Sequence, residues 1–388
     1  MGQFFLMHKN EICGAVIIDD DSGYIRSYKD SGKGKSPFLG NCDERKIIKW
    51  WEGRAVPASR KMVQDILKQN GYINTEKYLV KNLALSMTDA YWIRPISMKL
   101  VYEDISFSNL SPYNDGKVPY HNETSYDPNA SLGGQMDKYW DLSTEKPSLV
   151  KESYKYFGQQ AINEVFATMI HQRQQTKIPF VSYTAEKTDD NGVICRCEAF
   201  TSEDLEFVPA YEVIESSKNE SESSPYDNYI RICANAGIKK VVMQEFMDYQ
   251  TMTDFIISNT DEHLLNFGIL RNPDTFEYIG PAPIFDSGNS MFFSEKAEVL
   301  SRVSLLKRQI TGFYQTEEKM LKNVKNKDIV DLSLLPSEKE CKELYKAYGI
   351  PKEKAEAIAK NYITKVKMAH DFQKGMKISL YHEKNKKS

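Results

Sequence analysis

The chain has 388 residues, of which 41% are hydrophobic and 27% charged, and its formal net charge is −3. That length accommodates two or three domains with substantial cores, and the near balance of charge argues against bulk attraction to nucleic acid or to an acidic membrane. No apolar run approaches the roughly 20 residues of a membrane helix, residues 1–9 lack the features of a secretory signal, and the six cysteines follow no disulfide or zinc spacing, so reduced thiols in a cytoplasm are expected.

In chain order, residues 1–125 read as an N-terminal α+β unit with a linker. Ala15-Val16-Ile17-Ile18 is strand-like. Residues 43–53 are helical, with Ile47, Ile48 and Trp51 on one face, and residues 58–69 are helical up to Asn70-Gly71. Ser31-Gly32-Lys33-Gly34-Lys35-Ser36 looks like a phosphate-binding P-loop, but Lys29 stands where that motif needs its first glycine, so a flexible loop is expected. Residues 106–130 are rich in Ser, Asn, Asp, Pro and Gly, which marks a connection.

Residues 126–208 read as a small lobe of short strands and one helix. Ser131-Leu132-Gly133-Gly134 offers a backbone able to approach an anion closely, although a Gly-Gly pair also makes ordinary hairpin turns. Lys151 ends a short apolar strand. The helix over 159–172 carries Ile162, Val165, Phe166, Met169 and Ile170 on one face, with Glu164 beside them. Glu164 either reaches Lys151 or is a solvated helix acid. The strand 194–200 ends at Glu198 and Phe200, whose main-chain groups are hinge candidates for adenine. A polar loop over 215–227 follows.

The large lobe, 209–388, reads as mostly helical from Tyr229. Ser337-x-x-Glu340 is a capping box, Gly349-Ile350-Pro351 divides the last two helices, and a basic tail ends the chain. Between these helices lies Asn259-Thr260-Asp261-Glu262-His263-Leu264-Leu265-Asn266-Phe267, answered by Asp286-Ser287-Gly288 after an apolar run. Asp261 and Asn266, five positions apart, have the makeup of a phosphoryl-transfer loop. Asp261 accepts the proton of the attacking hydroxyl, while Asn266 and Asp286 hold Mg2+ on the phosphates of ATP. His263 is expected to pack or hydrogen-bond within this loop, beside the nucleotide. The plain alternatives are a helix cap at 259–261 and a turn at 286–288.

With these pieces in order, the chain resembles the HipA-like serine/threonine kinases, atypical bacterial protein kinases that include toxins of toxin–antitoxin pairs. The resemblance runs over about residues 126–373. It rests on Ser131-Leu132-Gly133-Gly134 with Lys138, Val150-Lys151, Asn163-Glu164, Glu198-Ala199-Phe200, the segment 259–267 and Asp286. It implies an α+β, two-lobed protein-kinase-like fold behind the N-terminal domain. It implies a protein hydroxyl as acceptor, an antitoxin or other regulatory protein as partner, and autophosphorylation at Ser131. Leu265 departs from the family, which has a lysine before the Asn. A small-molecule or lipid kinase of the same fold, a nucleotide-binding regulator without transfer activity, and a helical interaction protein remain as alternatives. No direct nucleic-acid or membrane contact is expected.

Overall fold

The computed structural model describes residues 1–110, 126–134, 136–190, 192–217 and 224–385. Much of the expected connection at 106–130, part of the polar loop at 215–227, Gln135 beside the Gly-Gly pair, and the last residues of the basic tail lie outside the described residues.

The N-terminal unit is built on an antiparallel sheet of β1 (Gly2–His8), β2 (Glu11–Ile18), β3 (Ile25–Asp30) and β4 (Tyr91–Pro95), in the order β3-β2-β1-β4. Helices α1 (Glu44–Arg54) and α3 (Thr75–Lys81) pack with it, and α2 (Lys61–Asn70) packs beside α3 through Val63 and Tyr78. The Asp43 carboxylate caps α1 by accepting from Lys46 N, and Trp50 and Trp51 turn inward with Ile47. Helix α2 begins later than the sequence pattern indicates. Residues 58–60 form the turn before it, with Arg60 at its N-cap, and Gly71 ends it at φ 65°. A single turn, α4 (Tyr102–Ile105), closes the unit.

The small lobe is a second antiparallel sheet, of β5 (Asp137–Asp141), β6 (Ser148–Ser153), β7 (Thr184–Lys187) and β8 (Val193–Glu198), ordered β5-β6-β8-β7. Across it lies α5 (Gln159–Arg173), whose Ile162, Phe166 and Ile170 are fully buried. Cys195 and Cys197 share the buried face of β8, and all six cysteines are free and buried.

The large lobe opens with β9 (Glu206–Pro209), α6 (Ala210–Glu215), α7 (Pro225–Asn235) and α8 (Lys240–Ile257). It is less helical than the sequence suggests. The strands β10 (Gly268–Arg271) and β11 (Tyr278–Pro281) form a hairpin that pairs with β9. Short helices α9 (Arg302–Leu306) and α10 (Glu317–Leu321) follow, and then the expected pair α11 (Glu338–Ala347) and α12 (Lys352–Gln373). The Ser337–Glu340 capping box is formed in both directions. A last helix, α13 (Leu380–Asn385), was not legible in the sequence. No helix among the described residues is long and apolar enough to cross a membrane.

The N-terminal unit is tied to the large lobe by buried charge. The Glu206 carboxylate on β9 accepts from Arg271 Nε at 2.5 Å and lies 2.9 Å from His8 Nε2 on β1; all three residues are 3% exposed or less. Burial pushes the Glu206 carboxyl up, but the His8 hydrogen bond and the Arg271 charge outweigh it and bring it from 4.5 down to about 2. Glu206→Ala leaves a buried guanidinium without its anion, so it should cost about 3–5 kcal/mol in urea denaturation. Because the folded-state value is depressed, the Glu206 contribution is complete above its ordinary value and is lost as pH falls toward about 2. A wild-type chain and a Glu206→Ala chain of equal stability at neutral pH would contradict this.

Candidate active site

The centre of the site is an ammonium taken out of water. Lys151 is the fourth residue of β6 and only 2% exposed. Its Nζ donates to Glu164 Oε1 at 2.5 Å and to Asp286 Oδ1 at 2.6 Å. Burial opposes the charge on Lys151, but the Asp286 and Glu164 carboxylates outweigh it and hold the amine protonated, well above its ordinary range. Burial likewise raises Glu164, with Lys151 acting against it. Asp286 is lowered despite burial, by the charges of Lys151 and Lys138. Of the two readings of Glu164, the one that reaches Lys151 is the one observed.

Helix α5 presents three successive polar contacts to the segment after Asp286. Glu164 Oε2 accepts from Ser287 N at 2.9 Å. Asn163 Nδ2 donates to the carbonyls of Gly288 and Ser290, while its Oδ1 accepts from Tyr345 OH of α11 at 2.7 Å. Gln160 Nε2 donates to Asn289 Oδ1 at 2.6 Å. Asp286 itself sits in the left-handed region at φ 61°. It is delivered there by Ile284, which bridges Phe180 as a strand would. The segment is a clamped 3-10 turn rather than a solvated one.

The segment 259–267 is anchored as firmly. Helix α8 ends because Ser258 turns left-handed, at φ 53°. No helix starts at Glu262, so the capping alternative is not what forms. Asn259 Nδ2 holds Asp254 and Glu262 at 3.0 Å each. The Asp261 carboxylate accepts from Asn289 Nδ2 at 2.6 Å and from Thr311 Oγ1 at 3.0 Å. Asn266 Nδ2 donates to Asp261 O at 2.8 Å, which leaves its amide oxygen without a role in holding the loop. Asn289 therefore links the Asp261 loop to the Asp286 turn. His263 is half-buried; its Nδ1 accepts from Leu265 N at 3.3 Å, an interaction within the loop as expected. Leu265 is 49% exposed.

The glycine segment lies over the same centre. Gly134 has φ 89°, a conformation that strains any other residue, and the Lys138 Nζ lies 2.7 Å from where its Cβ would stand, so the amine rests against the glycine. Burial lowers Lys138 to about 8, with Lys151 and Arg60 adding to the effect. Ser131 Oγ donates to Leu85 O at 2.8 Å, and buried Leu132 joins Ser131 to the pair Gly133-Gly134. At the end of β8, the β7 partner stops opposite Arg196, so Cys197 and Glu198 keep a strand neighbour only on the β6 side, and Ala199 N donates to Pro147 O at 2.8 Å. Phe200 packs against Phe207 and Phe285, with centroids at 5.7 and 5.3 Å. The Glu198 side chain points to solvent and pairs with Lys146, so only its main chain is available to the cleft. A cavity of about 600 Å³ opens between the N-terminal unit and the segment 263–265, with Trp50, Ser131, Phe207, Tyr211 and Leu265 among its walls.

No family model matches the chain, and no curated protein matches it in sequence. Among solved structures, the HipA toxin of Shewanella oneidensis MR-1, solved with HipB and operator DNA, is similar with a TM-score of 0.55 at 11% identity, covering 99% of this chain and 100% of that one. The chain has the HipA fold. The Helicobacter pylori proinflammatory kinase CtkA is similar with a TM-score of 0.46 at 19% identity, over 62% of this chain and 92% of that one.

Of the residues read from the sequence, Lys151, Glu164 and Asp286 are in direct contact, Asp261 is linked to the Asp286 turn through Asn289 and to Asn266 through its carbonyl, and Phe200 packs on Phe285. Sequence reasoning missed Asn289 and Thr311, which hold Asp261, and Arg60, which reaches the glycines from the N-terminal unit. Asn289 had a weak signal, being three residues beyond Asp286; the other two had none. Asn163→Ala removes the partner of three buried groups, at about 1–3 kcal/mol for each left unsatisfied. A loss below about 1 kcal/mol in urea denaturation would mean that water replaces the amide.

Proposed function

We propose that the chain is a HipA-like kinase that transfers the γ-phosphate of ATP to a serine or threonine of a protein. The observation that carries this reading is the shared ammonium. Lys151 is bonded at once to a helix acid, Glu164, and to Asp286, whose turn is bonded through Asn289 to Asp261. A lysine paired with a helix glutamate orients nucleotide phosphates in protein kinases, and Asp286 beside it would be the carboxylate for the metal.

The residues present fit Mg-ATP. An ammonium has three N–H donors, and two of those on Lys151 are spent on carboxylates, leaving one for a phosphate oxygen. Gly133 and Gly134 admit close approach, with Lys138 behind them. Asn266 and Asp286 supply one amide and one carboxylate oxygen. Among the described residues no set of three His, Cys, Asp or Glu side chains could hold a metal alone, and magnesium at such sites takes one or two protein oxygens together with phosphates and water. Bound there, the ion would neutralise charge on the transferring group. Asp261 would take the proton of the attacking hydroxyl as the new O–P bond forms and ADP leaves. Glu198 and Phe200 would receive adenine through their main chain, with Phe200, Phe207 and Phe285 beside the ring.

The cavity beside Leu265 is where an acceptor chain would enter. Its walls combine aromatic side chains with Lys49, Glu52, Arg54, Asp89 and Glu212, and Leu265 would offer an apolar contact where relatives carry a lysine. Ser131 would be its own alternative acceptor. A phosphate there would add about −2 charge and break the bond to Leu85 O, expelling the glycine segment. An antitoxin partner is proposed because the HipA neighbour was solved with HipB.

Mg-ATP at 100 times its dissociation constant should stabilise the fold by about 2.7 kcal/mol. With γ-labelled ATP and lysate, Asp261→Ala should cut labelling by about 10²–10⁴-fold, and Asp286→Ala should abolish it with the fold intact. Retention of more than about one tenth of wild-type labelling by Asp261→Ala contradicts the base assignment. Nucleotide binding by wild type without transfer would favour the regulator instead.

A further inference from the structure

The glycine segment does not stand alone: the N-terminal unit holds it at three points. Val56 N donates to Ala130 O at 3.1 Å, and Leu85 O accepts from Ser131 Oγ. The third point is Arg60, at the N-cap of α2. Its Nε donates to Gly134 O at 2.9 Å, and its Nη2 donates to Gly133 O at 2.5 Å and to Gly134 O at 2.7 Å.

Propping a loop does not require a guanidinium. Carbonyl oxygens are neutral, and an Arg buried to 2% exposure keeps its full charge only at a cost. Arg60 makes no ion pair among the described residues, and its Nη1 is buried without any hydrogen-bond partner. Burial lowers it to about 10, with Asp137 and Asp286 as the carboxylates that act against this, so it stays charged at neutral pH. The Gly134 that Arg60 holds lies against Lys138 Nζ, 2.7 Å from where a Cβ would stand, and the Arg60 charge acts on Lys138 and Asp286. A charged donor not used by the fold, beside a glycine segment, has the chemistry to bind an anion.

We propose that Arg60 is a phosphate ligand, so that the N-terminal unit, and not only the two kinase lobes, completes the binding site for a nucleoside triphosphate. This rests on the kinase reading above. Nη1 contacts the phosphates beyond the α position, and the other nitrogens keep the Gly133 and Gly134 carbonyls turned away from the anion. Nucleotide binding then tightens the grip of the N-terminal unit on the segment that carries Ser131.

Isothermal titration of wild type, R60A and R60K with Mg-ATP and with AMP, alongside melting of the nucleotide-free chains, tests this. R60A should weaken Mg-ATP by about tenfold or more, the scale of one hydrogen bond to a charged group, and AMP by less than about twofold. R60K should lie between R60A and wild type, since it keeps the charge without the planar fork. If R60A does not fold, R60K decides by the same ratio. Unchanged Mg-ATP affinity in both variants overturns the proposal, as does an equal loss for Mg-ATP and AMP, which marks Arg60 as a prop. A wild type that binds no Mg-ATP removes the kinase reading and this proposal together. Wild-type binding with an absent or unselective effect of Arg60 removes the proposal alone.

Discussion

A buried lysine is the constraint on which this structure turns. Removing an ammonium from water costs several kcal/mol even after relaxation, and Lys151 is 2% exposed. Only the placement of Glu164 and Asp286 within 2.6 Å offsets that cost. Each carboxylate comes from a different part of the chain. One stands on α5 against the small-lobe sheet, and the other on the turn after Ile284 in the large lobe. The two lobes therefore register on one cation. Glu164 also bonds to Ser287 N, and Asn163 to the next carbonyls, so α5 cannot shift without uncovering charge. Packing around Ile162, Phe166 and Ile170 gives α5 its place, and the polar row beside that stripe uses it.

A second layer of constraint comes from the N-terminal unit. Its sheet reaches the large lobe through the His8–Glu206–Arg271 cluster, and the connection between α1 and α2 reaches the glycine segment through Val56 and Arg60. The unit thus touches both sides of the cleft. A change at its surface has a short path to the segment carrying Ser131, which is the physical basis for treating it as more than a tether. The exposed Leu265 and the aromatic walls of the neighbouring cavity lie where the unit and the large lobe meet.

Much of the cleft was legible because its residues sit on well-patterned elements. The apolar spacing of α5 gave its extent to within a residue, and the spacing of Asp261, Asn266 and Asp286 gave a chemical set. The fate of Glu164 could not be read from spacing alone. It lies at the border of the apolar face, where a solvated acid and a buried ion pair share the same pattern, and only the position of Lys151 decides between them. The hairpin β10–β11 was hidden by its length, four residues in each strand. Strand β1 was hidden because as an inner strand it carries a continuous apolar run, Phe4-Phe5-Leu6-Met7, without alternation. Arg60, Asn289 and Thr311 are single polar residues brought in by tertiary folding, and no local rule marks them.

The most direct test is electron paramagnetic resonance of Mn2+ in the presence of ATP, titrated into wild type and into Asp286→Ala. The expected result is an immobilised metal–nucleotide signal in wild type that weakens by about tenfold or more when the Asp286 carboxylate is removed, the scale of a lost charged ligand. The same immobilised signal at the same concentrations in both chains would place the metal elsewhere and contradict the assignment of the cleft.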